Sequence, residues 1–111
     1  MKVNDICGKI EAVLVCGNAE NEFCGVYVGD LLSRAMSRVE SGNLWVTIMS
    51  NVNVVAVATL TDPAAVILAE DVKLGEEEIA KARENGITVL STPLSAYEIC
   101  TKLCSVTEKE I

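Results

Sequence analysis

Histidine is absent from the 111 residues, and basic side chains are scarce. Nine Lys and Arg stand against sixteen Asp and Glu, a formal charge of −7. Aromatic residues are also few: one Phe, two Tyr and one Trp. Without histidine, neither a Ser-His-Asp triad, a Cys-His dyad nor a His-containing zinc site can form within the chain. The negative charge opposes nucleic acid and anionic membrane as partners. The opening Met1-Lys2-Val3-Asn4-Asp5 has no apolar stretch after a basic start, so no signal peptide is expected. The most apolar run, Val52 to Leu68, is broken by Asn53, Thr59, Thr61, Asp62 and Pro63, so no membrane span is expected either. The expected location is the cytoplasm.

What is present is an apolar half of the sequence in a chain of one-domain length. Residues 1–111 are therefore read as one domain, large enough to bury a core. The five cysteines are odd in number, which suits a reducing compartment better than a disulfide framework. Cys100 and Cys104 are four apart on an expected helix and share a face. They read either as a redox pair or half a metal site, or as small hydrophobes of the core-facing stripe. No CxxC motif supplies further ligands.

Strand-like and helix-like segments alternate. Val3 to Lys9 reads as a short helix, with Asn4 as a possible cap and Ile6 and Ile10 on one side. Ala12 to Cys16 is a strand ended by Gly17, and Asn18 to Glu22 is a loop. Phe23 to Val28 is the second strand, and Leu31 to Val39 has helical apolar spacing. Leu44 to Met49 is a strand apolar on both faces apart from Thr47, as helix-covered strands are. Asn51 to Thr61 favours a strand by propensity, but its interleaved alanines and the capping Asn51 read as a helix. Ala64 to Ala69 and Ile87 to Leu90 are the remaining strands. Gly75 to Asn85 is a helix with Glu76, Glu77 and Glu78 at its electropositive start and Gly86 as its stop. Ser95 to Val106 is the last helix, with Ser95 and Glu98 as a capping box. The polar tail Thr107 to Ile111 is expected to fray. Five strands interleaved with helices imply an α/β fold: a three-layer α/β/α sandwich with a five-stranded, mostly parallel sheet.

In such sheets ligands bind at the carboxyl ends of the strands. Those ends carry Gly29-Asp30, Ser50-Asn51, Glu70-Asp71 and Ser91-Thr92. The candidate ligand-binding residues are Gly29, Asp30, Ser33, Ser50, Asn51 and Asn53, for a small polar molecule or a nucleotide. The same residues also suit plain helix capping. No dinucleotide GxGxxG motif and no Gly-Lys-Ser/Thr phosphate loop is present. Trp45 begins an apolar strand and reads as core. Glu76 to Glu78 point in different directions on a helix, so they read as a solvated start and not a chelate. No cofactor is expected.

The helix from Asn51 to Leu60 is apolar nearly all round and must be covered on more than one side. A homodimer is therefore expected, with Val52, Val54, Val55, Val57 and Ala58 at its interface.

The runs Tyr27-Val28-Gly29-Asp30-Leu31-Leu32-Ser33, Trp45 to Ala58, and Ala65 to Glu70 resemble a DRTGG domain. Ile87 to Ser91 followed by Ser95-Ala96-Tyr97-Glu98 fits as well. Little of the naming motif is kept: its Asp-Arg falls on Glu20-Asn21 and its Thr-Gly-Gly on Cys24-Gly25-Val26. The resemblance implies a fold similar to the N-terminal domains of HPr kinase and of a Mur ligase. It also implies a non-catalytic regulatory or dimerising role. Such domains stand beside CBS domains in some pyrophosphatases, and stand-alone copies occur in anaerobes, some near iron-hydrogenase genes. Two alternatives remain. One is a small phosphotransferase or hydrolase using Asp30 with Ser33 or Ser50; the other is a thiol or iron–sulfur accessory protein.

Overall fold

The computed structural model describes residues 1–107. In chain order the elements are α1 (Val3–Cys7), β1 (Val13–Cys16), β2 (Val26–Val28), α2 (Leu32–Arg38) and β3 (Leu44–Thr47). They continue with α3 (Val52–Thr61), β4 (Ala65–Leu68), α4 (Glu76–Glu84), β5 (Val89–Ser91) and α5 (Ala96–Thr107). Every expected element is present, most with ends trimmed by a few residues, while β5 and α5 each end one residue later than expected. Asn51 to Thr61 is a helix despite its valines. The Asn51 side chain caps it by accepting from the Asn53 backbone N–H at 2.9 Å. Asn4 is not the cap of α1; Lys2 holds that place, and its N–H donates to Asp5 Oδ2 at 2.8 Å. The tail expected to fray lies outside the described residues except for Thr107, which closes α5.

The sheet runs in the order β1-β5-β4-β3-β2. β2, β3, β4 and β5 are parallel, and β1 joins β5 antiparallel with an irregularity between Leu14 and Cys16. Side chains alternate across the strands, so each strand feeds two cores. Leu44, Val46, Ala65, Ile67 and Leu90 face α1 and α5, where they meet Ile6, Ile10, Ile99 and Leu103. Trp45, Val66, Leu68 and Val89 face the other layer, where they meet Ala35 of α2, Val54 and Ala58 of α3, and Ala82 of α4. β3 and β4 are buried along their whole length.

This layering corrects one expectation. α3 lies on the sheet between α2 and α4. Val54, Val55, Val57 and Ala58 are buried inside the chain itself, so they are core and not interface. Two flanking helices supply the cover that a second subunit was expected to give. Val52 stays half-exposed, and with Ala56, Thr59 and Leu60 it forms the outward stripe of the helix. Among the described residues no helix is long and apolar enough to cross a membrane.

At the amino end of β5, Thr88 gathers the chain after β1. Its hydroxyl accepts from Asn18 N at 2.9 Å and from Asn21 Nδ2 at 3.1 Å. Gly17 makes this approach possible. It has φ of +95°, and a Cβ there would stand 2.3 Å from the Thr88 Cα. Backbone cannot yield as a side-chain tip can. Gly17→Ala is therefore expected to lower unfolding free energy by more than about 2 kcal/mol in urea denaturation. Gly42→Ala, also at positive φ but with open space around it, should cost less.

Candidate functional site

The carboxyl ends of the parallel strands form one rim. At its β2–β3 side, Asp30 leaves β2 and turns back onto β3. Its Oδ1 accepts from the Thr47 hydroxyl at 2.8 Å and from the Ile48 N–H at 2.9 Å. Thr47 is buried, and its oxygen in turn accepts from the Met49 N–H at 3.1 Å. Trp45 adds a second tie, donating from Nε1 to the Gly29 carbonyl at 2.9 Å. Tyr27 folds over Gly29, where a Cβ would come within 2.9 Å of the Tyr27 hydroxyl. A side chain at position 29 would therefore push the Tyr27 ring aside.

These bonds fix the relative positions of the candidate residues. Ser33 lies in the first turn of α2, Ser50 in the loop after β3, and Asn51 and Asn53 at the start of α3. Asn51 is spent on capping. The side chains of Ser33, Ser50 and Asn53 are not used in side-chain hydrogen bonds among the described residues. Asp30 bonds Thr47 and Ile48 and not Ser33 or Ser50, so the carboxylate–serine pair needed for a hydrolase is not assembled.

The other side of the rim is closed. After β4 the chain crosses to the α2–α3–α4 layer, and after β5 it crosses to the opposite layer. Diverging loops of this kind open the ligand crevice of many α/β sheets. Here Glu70 N donates to the Leu94 carbonyl and Asp71 N to the Thr92 carbonyl, both at 2.9 Å. Glu70 and Asp71 take left-handed φ values of 57° and 61°, and the resulting turn brings both N–H groups to the β5 exit. The Thr92 hydroxyl donates to the Ile10 carbonyl at 2.6 Å and accepts from Leu94 N at 3.2 Å. Ser91 is buried and meets Lys73 Nζ at 3.4 Å. Glu70-Asp71 and Ser91-Thr92 therefore act as a suture. From the sequence, Thr47 stood out only as the polar break in its strand and Thr92 only as a strand-end residue, and Thr88 was not singled out, although a threonine among apolar strand residues was the visible signal.

Three clefts stand out. One of about 440 Å³ lies between the start of α3 and the outer side of α4, lined by Val52, Glu77, Glu78, Ala80, Lys81 and Glu84. A second, of about 270 Å³, lies at the opposite end of the sheet beside Asn21, Ser41 and Asp62. A third, of about 180 Å³, is lined by Val26, Cys100, Leu103 and Cys104.

The cysteines do not converge as a cluster ligand set would require. Among the described residues no group of three His, Cys, Asp or Glu side chains could hold a metal ion. Burial pushes the Cys7 thiol up. Burial does the same to Cys16, against opposing effects of Arg83 and the Val89 backbone. Cys24 and Cys104 are exposed.

The family profile of the DRTGG domain matches residues 5–106. The chain belongs to the DRTGG domain family. DRTGG architecture is also seen in the crystal structure of the CBS and DRTGG domains of the regulatory region of Clostridium perfringens pyrophosphatase, complexed with its activator, diadenosine tetraphosphate. The TM-score is 0.74 at 14% sequence identity, over 92% of this chain and 45% of that one. This DRTGG chain thus spans less than half the length of that structure. At such low identity the likeness shows the fold. No curated protein sequence matches the chain.

Two outcomes are expected. Thr92→Val keeps the shape but strands the Ile10 carbonyl and the Leu94 N–H, so urea denaturation should show a loss of about 1–3 kcal/mol. The capping box of α5 gives a pH dependence. Glu98 accepts from the Ser95 N–H at 3.0 Å, while Glu98 N donates to Ser95 Oγ at 3.2 Å. The backbone and then the hydroxyl of Ser95 hold the Glu98 carboxyl below its ordinary value. A depressed folded value means stability that is present above the ordinary glutamate range and lost as pH falls through the depressed value. Thermal melts across that acidic window should show a steeper decline for the native chain than for Glu98→Gln.

Proposed function

We propose that this DRTGG chain is a non-catalytic regulatory module: a single domain, homodimeric, working in the cytoplasm, that binds a small polar ligand or nucleotide at the β2–β3 side of its rim. The observation that carries this reading is the unspent polar set Ser33, Ser50 and Asn53, held in place by the Asp30 bonds to Thr47 and Ile48. Gly29 lies under Tyr27, with its N–H on the Val46 carbonyl and its own carbonyl on Trp45 Nε1, so backbone contact to a ligand falls to the start of α3, a positive helix end. Arg34 in the first turn of α2 adds positive charge on an otherwise acidic chain. The pyrophosphatase regulatory region, similar in fold, takes an adenine dinucleotide as activator. For the homodimer, the outward stripe Val52, Ala56 and Leu60 is the supporting surface, with Leu60 72% exposed.

Thermal-shift measurements against diadenosine tetraphosphate, ATP, ADP and AMP test the ligand. A ligand at a hundredfold its Kd stabilises by about 2.7 kcal/mol. For a domain of this size that is a rise of several degrees in Tm. The rise should vanish in the Ser33→Ala/Asn53→Ala variant. A native chain that no nucleotide stabilises would refute the nucleotide reading. Sedimentation velocity at micromolar concentration tests the assembly separately. The native chain should sediment as a dimer and Leu60→Glu as a folded monomer; a monomeric native chain would refute the interface.

A further inference from the structure

The mixed use of the five cysteines points to a second site. Cys7 and Cys16 donate their thiol protons to the carbonyls of Val3 and Ile87, at 3.5 and 3.4 Å. Cys100 and Cys104 have no such partner among the described residues. On α5 the core-facing positions are Ile99 and Leu103, both buried. Cys100 and Cys104 sit one position further round, half-buried and exposed respectively. They are not core residues. They line one cleft of about 180 Å³ against Val26 of β2 and Leu103.

Helix positions four apart place their Cβ atoms about 5–6 Å apart on one face. Two thiolates at that spacing can grip a single ion from opposite sides. The rest of the cleft decides which ion. Its other walls are the hydrocarbon of Val26 and Leu103, and no third acidic or thiol ligand completes a set among the described residues. A structural zinc needs four protein ligands, and an iron–sulfur cluster needs four thiolates or their equivalent. A d¹⁰ monovalent cation such as Cu⁺ is soft enough to prefer thiolates, and it is satisfied by two of them in a linear arrangement.

We infer that Cys100 and Cys104 form a two-thiolate site for a soft monovalent cation of the Cu⁺ class. On uptake, two S–H bonds break, two sulfur–metal bonds form, and two protons leave to solvent. The cation and two neutral thiols thus become a complex of charge −1 and two protons, with no change of oxidation state. Burial raises the Cys100 thiol above its ordinary value, so the cation must displace a proton there, and affinity rises with pH.

The test is an anaerobic titration of the full chain with Cu⁺ against the chelator bathocuproine disulfonate. The native chain is expected to withdraw one cation per chain, to gain an ultraviolet thiolate-to-copper absorption, and to release two protons per cation. Cys100→Ser and Cys104→Ser should each reduce withdrawal to background, while Cys24→Ser leaves it intact. Circular dichroism checks that each variant is folded, and serine at the exposed position 104 meets no packing demand. Failure of the folded native chain to withdraw copper would overturn the site. So would undiminished withdrawal by the Cys100→Ser/Cys104→Ser variant. Half a cation per chain with copper-dependent dimerisation would assign the ion to four thiols of two copies and overturn the single-chain site.

Discussion

Burial of β3 and β4 on both faces is the constraint from which the rest of the architecture follows. A strand with apolar side chains on both sides must have its backbone paired within the sheet and its two faces covered by separate layers. Leu44 and Val46 call for α1 and α5 beneath them, and Trp45 calls for α2, α3 and α4 above. Three helices share one layer because β2 to β5 follow one another across the sheet. The middle of those three, α3, is necessarily enclosed. Its near-uniform apolar composition is the consequence, and its half-exposed stripe is what the neighbours leave over.

The strand ends obey a second rule, that buried polar groups must be paired. Thr47 and Thr92 each donate through the hydroxyl and accept from a backbone N–H two residues on. Both hydroxyls therefore act as bridges between segments far apart in the chain. The bridges differ in what they leave open. Thr92 and the left-handed Glu70-Asp71 turn seal the β4–β5 ends, where diverging loops would otherwise part. Thr47 and Asp30 join β2 to β3 but leave Ser33, Ser50 and Asn53 unspent. The candidate side chains left without hydrogen-bond partners thereby lie on one side of the rim, and the other side is sealed.

The cysteines show how one residue type divides by location. Cys7 and Cys16 are buried or half-buried and donate to carbonyls, as small core residues do. Cys100 and Cys104 are displaced one position from the core stripe of α5 and meet in a cleft at the β2 edge. That edge is thinly covered because α1 and α5 are two helices over a five-stranded sheet.

Much of this was legible in the chain itself. Alternation and turn residues identified all ten elements, the Asn51 cap and the Ser95–Glu98 box, because each depends on residues within about four positions of one another; the mostly parallel sheet followed from the order in which strands and helices alternate. The candidate rim residues were legible for the same reason: they follow strands directly. Which of them remain free was not. Asp30 meets Thr47 and Ile48 seventeen and eighteen residues away, and Thr92 meets Ile10 across eighty-two. The sequence also showed that α3 must be covered, but not by what, since apolar periodicity records the need for burial and not the identity of the neighbour. Secondary structure is thus a local property that the sequence determined. The occupancy of hydrogen bonds and the cover of apolar faces are long-range properties, and only the tertiary structure decided them.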